Sequence, residues 1–155
     1  MRTVNQWLGE YGESHQNETN KTIHWICVPA IFFSITGLLY SLKFPWQITG
    51  DLQMNAAIFI MALAIVYYFF LSVTLGSGML LFGMVCLTIC YLIDSYISAP
   101  LWLVSLFIFV AAWIGQFYGH KVEGKKPSFL KDLQFLLIGP MWLLSFIYKK
   151  IGIKY

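Results

Sequence analysis

The sequence predicts an all-α integral membrane protein: a helical bundle with four transmembrane helices and a fifth, short or re-entrant apolar segment. Three observations carry this reading. Of the 155 residues, 59% are hydrophobic and 11% are charged, whereas soluble domains carry about 25% charged residues. Four apolar runs come close to the roughly 20 residues that cross a bilayer as a helix. The runs are continuous, without the polar alternation that a barrel wall requires. A single membrane domain over residues 1–155 is the expectation.

The elements follow in order. Residues 1–22 read as an interfacial N-terminal segment that carries His15. Within it, Val4-Asn-Gln-Trp-Leu-Gly-Glu-Tyr11 forms an amphipathic helix with Trp7 and Tyr11 on one face, at headgroup level. Glu10, Glu13 and Glu18, with no apolar core between them, argue against a cleaved leader or transit peptide. The first span is expected over residues 23–42, with Pro29 near its start and Trp46 at the far interface. The second is expected over residues 56–75, ending in a tight Gly76-Ser-Gly78 turn. The third covers residues 79–97 and the fourth 101–118, joined at Ala99-Pro100. The apolar run 133–148 is interrupted by Gly139-Pro140, so it reads as a re-entrant segment or a fifth helix.

Charge orders these spans. With the N-terminus inside, four crossings gather Arg2, Lys21, Lys121, Lys125, Lys126 and Lys131 on one side and leave Lys43 on the other. Lys149, Lys150 and Lys154 obey the same bias if the last run dips in and returns. The formal charge of +3 is too small and dispersed for nucleic acid. Cys27, Cys86 and Cys90 lie inside apolar runs without a CxxC pair and read as small core residues. The small residues between Gly76 and Gly83 read as a close helix-packing pattern, and Asp94 as a solvated helix end. Asn17-Glu-Thr19 and Asn20-Lys-Thr22 match the glycosylation pattern by chance, since this topology puts them on the wrong side.

The histidines concentrate the chemistry. His15 and His24 bracket a polar stretch before the first span, and His120 ends the fourth; with four crossings all three share one membrane face. His120 and Glu123 stand at i, i+3, on one face if the helix continues past Gly119. Imidazole is the commonest metal ligand, and three with a carboxylate suit a non-haem Fe²⁺ or a Zn²⁺ site. Asn17, Asn20 and Gln116 are candidates to orient the rings. Other readings stand beside this one: each histidine as an interfacial residue, Glu123 with Lys121, Lys125 and Lys126 as a solvated charge cluster, or those lysines as contacts for lipid phosphate or a substrate carboxylate.

The blocks His15-Gln-Asn-Glu-Thr-Asn-Lys-Thr-Ile-His24-Trp-Ile-Cys-Val-Pro29 and Trp113-Ile-Gly-Gln-Phe-Tyr-Gly-His120-Lys-Val-Glu123-Gly-Lys-Lys-Pro127 resemble the two signature regions of the 2-hydroxy fatty acid dioxygenase family. The resemblance runs over nearly the whole chain, including Asp132-Leu-Gln and Gly139-Pro140. It implies a small multi-span membrane enzyme that uses Fe²⁺ and O₂ to shorten a long-chain 2-hydroxy fatty acid by one carbon. By position, His15, His24 and His120 match histidines expected to bind iron, and Glu123 matches an acidic position with a one-residue difference in spacing. Asn17 and Asn20 match polar positions of the first block. Gln16 stands where the fungal-type motif has a second, adjacent histidine, so Glu123, Gln16 or water is left to complete the ligand set. The short C-terminus and compact loops resemble bacterial members, which implies an inner-membrane protein with its metal site at the cytoplasmic face. The alternatives are a zinc-dependent membrane hydrolase and a non-enzymatic small membrane protein.

Overall fold

The computed structural model describes residues 2–50, 52–124 and 135–155. Among the described residues six helices and one hairpin follow in order: α1 (Val4–Gly12), α2 (Glu18–Tyr40), β1 (Lys43–Thr49), β2 (Leu52–Asn55), α3 (Ala56–Leu71), α4 (Val73–Tyr96), α5 (Leu101–Glu123) and α6 (Ile138–Ile151). Three of these, α2, α4 and α5, are long and apolar enough to cross a membrane. The second expected span falls short. At 16 residues, α3 extends about 24 Å at 1.5 Å per residue, less than the roughly 30 Å hydrocarbon core.

That shortfall has a local cause. The helix breaks at Ser72, which is extended at φ −163 and ψ 124 and whose hydroxyl accepts from Leu75 N–H, capping α4. The turn expected at Gly76–Gly78 is therefore helix, and its glycines serve packing instead. A Cβ at Gly76 would stand 3.1 Å from the backbone nitrogen of Phe69, and Gly78 faces Leu144 and Tyr148 of α6. Asn55 caps the other end of α3 through a bond from Ile58 N–H at 3.1 Å.

The all-α expectation is also corrected. β1 and β2 pair antiparallel between α2 and α3, with Lys43 opposite Asn55 and Thr49 opposite Leu52, around Gly50 at φ 49. Phe44, Trp46 and Ile48 alternate along β1 and are all exposed, the period-2 signal of a strand. An ion pair from Lys43 to Asp94 at 2.6 Å ties this hairpin to the end of α4.

The tightest seam is between α2 and α5, which run antiparallel. Gly37 meets Ser105, Gly115 meets Cys27, and Gly119 meets Asn20. A Cβ at Gly115 would lie 2.6 Å from Cys27 Sγ. Gly115 and Gly119 make a small-xxx-small pair, the spacing that lets transmembrane helices approach closely.

The described part of the last apolar run starts deep among the helices and runs toward the histidine end. Leu136 and Leu137 lie beside Phe32 of α2 and Met61 of α3, near the middle of both helices, and Tyr68 donates to the Leu137 carbonyl at 2.7 Å. From there α6 runs past Trp142, which packs on Tyr11, to Phe146, which packs on Trp25 near the start of α2. Gly139-Pro140 does not interrupt this helix but falls in its first turn, where proline is tolerated. At 14 residues, or about 21 Å, α6 is too short to cross. Trp7 and Tyr11 both pack edge-on against Phe135, so the aromatic face of α1 covers this segment.

Candidate metal centre

The site lies where the N-terminal end of α2 meets the C-terminal end of α5. His24 sits two turns into α2, His15 in the link from α1, and His120 in the last turn of α5, which runs on to Gly124 in the left-handed conformation at φ 74. All three are buried, with His15 at 4%, His24 at 1% and His120 at 6% exposure. Their ring centroids stand 4.2 Å apart for His15 and His24, 5.4 Å for His15 and His120, and 5.1 Å for His24 and His120. One nitrogen from each lies within 4.8 Å of the others. Metal–nitrogen bonds of about 2.1 Å put the nitrogens of a tetrahedral site roughly 3.4 Å apart, so small ring rotations would close the set.

Backbone carbonyls fix two of the rings. His15 Nδ1 lies 2.6 Å from the carbonyl of Tyr11 and His24 Nδ1 lies 2.8 Å from that of Asn20. A carbonyl can only accept, so Nδ1 carries the proton and Nε2 keeps its lone pair for a ligand. Each carbonyl is four residues before its histidine, within α2 for His24 and across the end of α1 for His15. The Nε2 of His24 is buried and has no hydrogen-bond partner among the described residues. A buried polar atom left so is costly, and a divalent cation in the cluster would satisfy it. The residues present thus fit a metal, and three imidazoles accept Fe²⁺ and Zn²⁺ alike.

Glu123 stands outside this cluster and holds its frame. Its Oε1 accepts from Gln16 N–H at 2.9 Å, and its Oε2 accepts from Asn17 N–H at 2.9 Å and from the Asn20 side-chain amide at 3.1 Å. The carboxylate at the end of α5 therefore clamps the chain just after His15 and the first turn of α2. Asn17 caps α2 through bonds from Thr19 and Asn20 N–H, and Asn20 is wholly buried. Gln16 turns its amide onto the Gly12 carbonyl at 2.6 Å, away from a ligand role. Gln116 lines the histidine cavity. Lys121 is exposed, and Lys125 lies outside the described residues.

The cavity itself has a volume of about 30 Å³, against the 10–15 Å³ or so that one water needs. Its apolar wall includes Val28, Ile31, Trp113 and Leu136. Tyr11 stacks on His15 with centroids 4.3 Å apart, and Trp142 stands 5.5 Å from the same ring. Sequence reasoning set Tyr11 at headgroup level and gave Trp142 no place at the histidines. The i, i+4 spacing of Tyr11 and His15 was a usable signal for the first, whereas nothing local marks Trp142. Close approach at Gly139, where a Cβ would lie 2.9 Å from Tyr11 Oη, brings Trp142 in.

Comparison with known proteins assigns the chain as a whole to a family. The family model described as 2-hydroxy-palmitic acid dioxygenase Mpo1-like matches residues 1–151. The 2-hydroxy-palmitic acid dioxygenase MPO1 of Saccharomyces cerevisiae is 30% identical over 147 residues, covering 94% of this chain and 79% of the yeast protein. No solved structure matches the chain. The matched segment contains the three histidines and α6, and the chain belongs to the Mpo1-like family of 2-hydroxy-palmitic acid dioxygenases.

Proposed function

We propose that this chain is a membrane oxidoreductase that uses O₂ to remove the carboxyl carbon of a long-chain 2-hydroxy fatty acid, with Fe²⁺ held by His15, His24 and His120. The observation that carries the reading is the buried trio of imidazoles at the end of two apolar helices. The family membership gives the substrate class, as the yeast relative is named for 2-hydroxypalmitic acid.

The overall reaction balances without a further reductant. One O₂ and one 2-hydroxy acid give CO₂, water and an acid one carbon shorter; the two carbons lose four electrons, and O₂ accepts four. Bound Fe²⁺ would supply O₂ activation and a Lewis acid for the substrate's carboxylate and hydroxyl. The chain's own residues do the rest. The Tyr11 and Asn20 carbonyls keep Nε2 of His15 and His24 turned inward. Glu123 holds the His15 loop and the start of α2 to the end of α5. Gln116, buried at the cavity wall, is suited to hydrogen-bond the substrate head. Val28, Ile31 and Trp113 keep bulk water from the reacting carbons.

Arg2, Lys21, Lys121, Lys149 and Lys150 fall towards the histidine end and Lys43 at the hairpin end. That asymmetry supports a cytoplasmic site, in the inner membrane of a bacterial host. The zinc-hydrolase reading shares the same donor set. Oxygen uptake decides between them. Protein loaded with Fe²⁺ anaerobically is expected to consume one O₂ per 2-hydroxypalmitate and release the 15-carbon acid. Absence of O₂ uptake with intact metal loading would sink the dioxygenase reading.

A further inference from the structure

A second, apolar cavity of about 100 Å³ lies between α2, α3 and the segment that leads into α6, with Phe32, Leu39, Ala57, Met61 and Ala64 in its wall. Leu136 lines both this cavity and the histidine cavity. Thr36, the one polar side chain among the described lining residues, donates to the Phe32 carbonyl at 2.8 Å, so the described wall offers a ligand an apolar surface. Ile60 on its rim is exposed, which leaves a lateral entrance between the helices.

We propose that this cavity holds the acyl tail of the substrate, with Leu136 at the joint and Ala57 at the closed end measuring chain length. The inference rests on the reading above for what binds at the histidines. Distance supports it. His24 and Leu39 are fifteen residues apart on α2, about 22 Å along the axis. With C–C bonds of about 1.5 Å, an extended alkyl chain advances roughly 1.25 Å per carbon, so some 16 to 18 carbons reach from the histidines to the far wall. A rival cavity of about 150 Å³ lies between Trp25, Pro29, Met79, Phe82 and Leu144, and among the described residues it shares no lining with the histidine cavity. A tail there would have to pass through the first turn of α6.

Two measurements test the tail site. In the first, palmitate bearing a diazirine on its terminal carbon is photolysed with the full chain in proteoliposomes, with and without excess 2-hydroxypalmitate, and labelled residues are mapped. Competable labelling at Leu39, Ala57 or Ile60 is expected. Competable labelling around Leu144, or labelling no stronger than at lipid-facing Phe107, overturns the proposal. In the second, Ala64→Phe, which fills the cavity near Leu136, is compared with Leu144→Phe, which fills the rival. Ala64→Phe is expected to cut kcat/KM for 2-hydroxypalmitate by roughly tenfold or more while 2-hydroxyoctanoate stays within about twofold. Retained turnover of the short acid reports an intact fold. Equal losses for both acids in Ala64→Phe with unchanged metal content, or the chain-length shift appearing in Leu144→Phe, overturn the proposal. Competable labelling at the far wall without O₂ uptake in the wild type supports the tail site and removes the dioxygenase reaction.

Discussion

Two carboxylates tie the two ends of this molecule together, with unequal consequences. At the hairpin end Asp94 meets Lys43 in an ion pair whose members are 28% and 39% exposed. At the histidine end Glu123 accepts from two backbone N–H groups and one buried amide. Exposed ion pairs contribute about 0–1 kcal/mol because solvent screens them and two side chains must be ordered. A carboxylate that receives several fixed donors, one of them a wholly buried side chain, specifies geometry instead. In the sequence Asp94 reads as a solvated helix end and Glu123 as a candidate for the metal set or a charge cluster, and neither reading gives the clamp that Glu123 forms. What differs is what the fold brings to them.

The largest expected effect removes the cluster that Glu123 supports. His24→Ala should lower divalent-metal affinity by more than the roughly 10- to 100-fold typical of losing a supporting group, measured as bound metal after equilibrium dialysis. Stoichiometric metal retained in that variant would break the histidine-centre assignment. Glu123→Gln comes next. It should weaken metal binding by about 10- to 100-fold, because an amide cannot accept from both the Gln16 and Asn17 N–H groups. Wild-type affinity in Glu123→Gln would make the two carboxylates equivalent after all.

Gly115→Ala is expected to destabilise the helix pair by about 1–3 kcal/mol, read as unfolding in mixed detergent. Cys27→Ala should relieve most of that loss by removing the sulfur the new Cβ would meet. An equal loss with and without the sulfur would separate the α2–α5 approach from the metal centre. The smallest effect belongs to the other end. Asp94→Asn should change stability by less than about 1 kcal/mol and leave metal affinity unchanged. A metal deficit there would mean that the hairpin end also acts on the histidine site.

Much of the fold was legible because its signals are local. The apolar runs that became α2, α4 and α5 stood out by length, and the starts of α3 and α5 at Ala56 and Leu101 were read correctly. The break at Ser72 was misread because glycines are the stronger turn markers in a list of residues, whereas a serine cap needs its bond to Leu75 to be seen. The hairpin was missed because its partner strand has four residues, too few to register beside long helices. The GxxxG pair at Gly115 and Gly119 was visible, yet the packing pattern was sought at Gly76–Gly83, where the run of small residues is longer.

By itself the sequence determined that this chain is helical and membrane-suited, that its histidines lie at the polar edges of apolar runs, and that those edges resemble a dioxygenase family. These follow from composition, run length and spacing, all properties of neighbouring residues. Only the tertiary structure decided that three edges meet within 4.8 Å, that Gln16 turns away, that Glu123 frames the centre, and that α6 starts beside the middle of α2 and α3 and runs toward the histidine end. Each of those depends on which helices can approach, and that is set by the contact of Gly115 and Gly119 with residues about ninety or more positions earlier in the chain, a distance no local pattern spans.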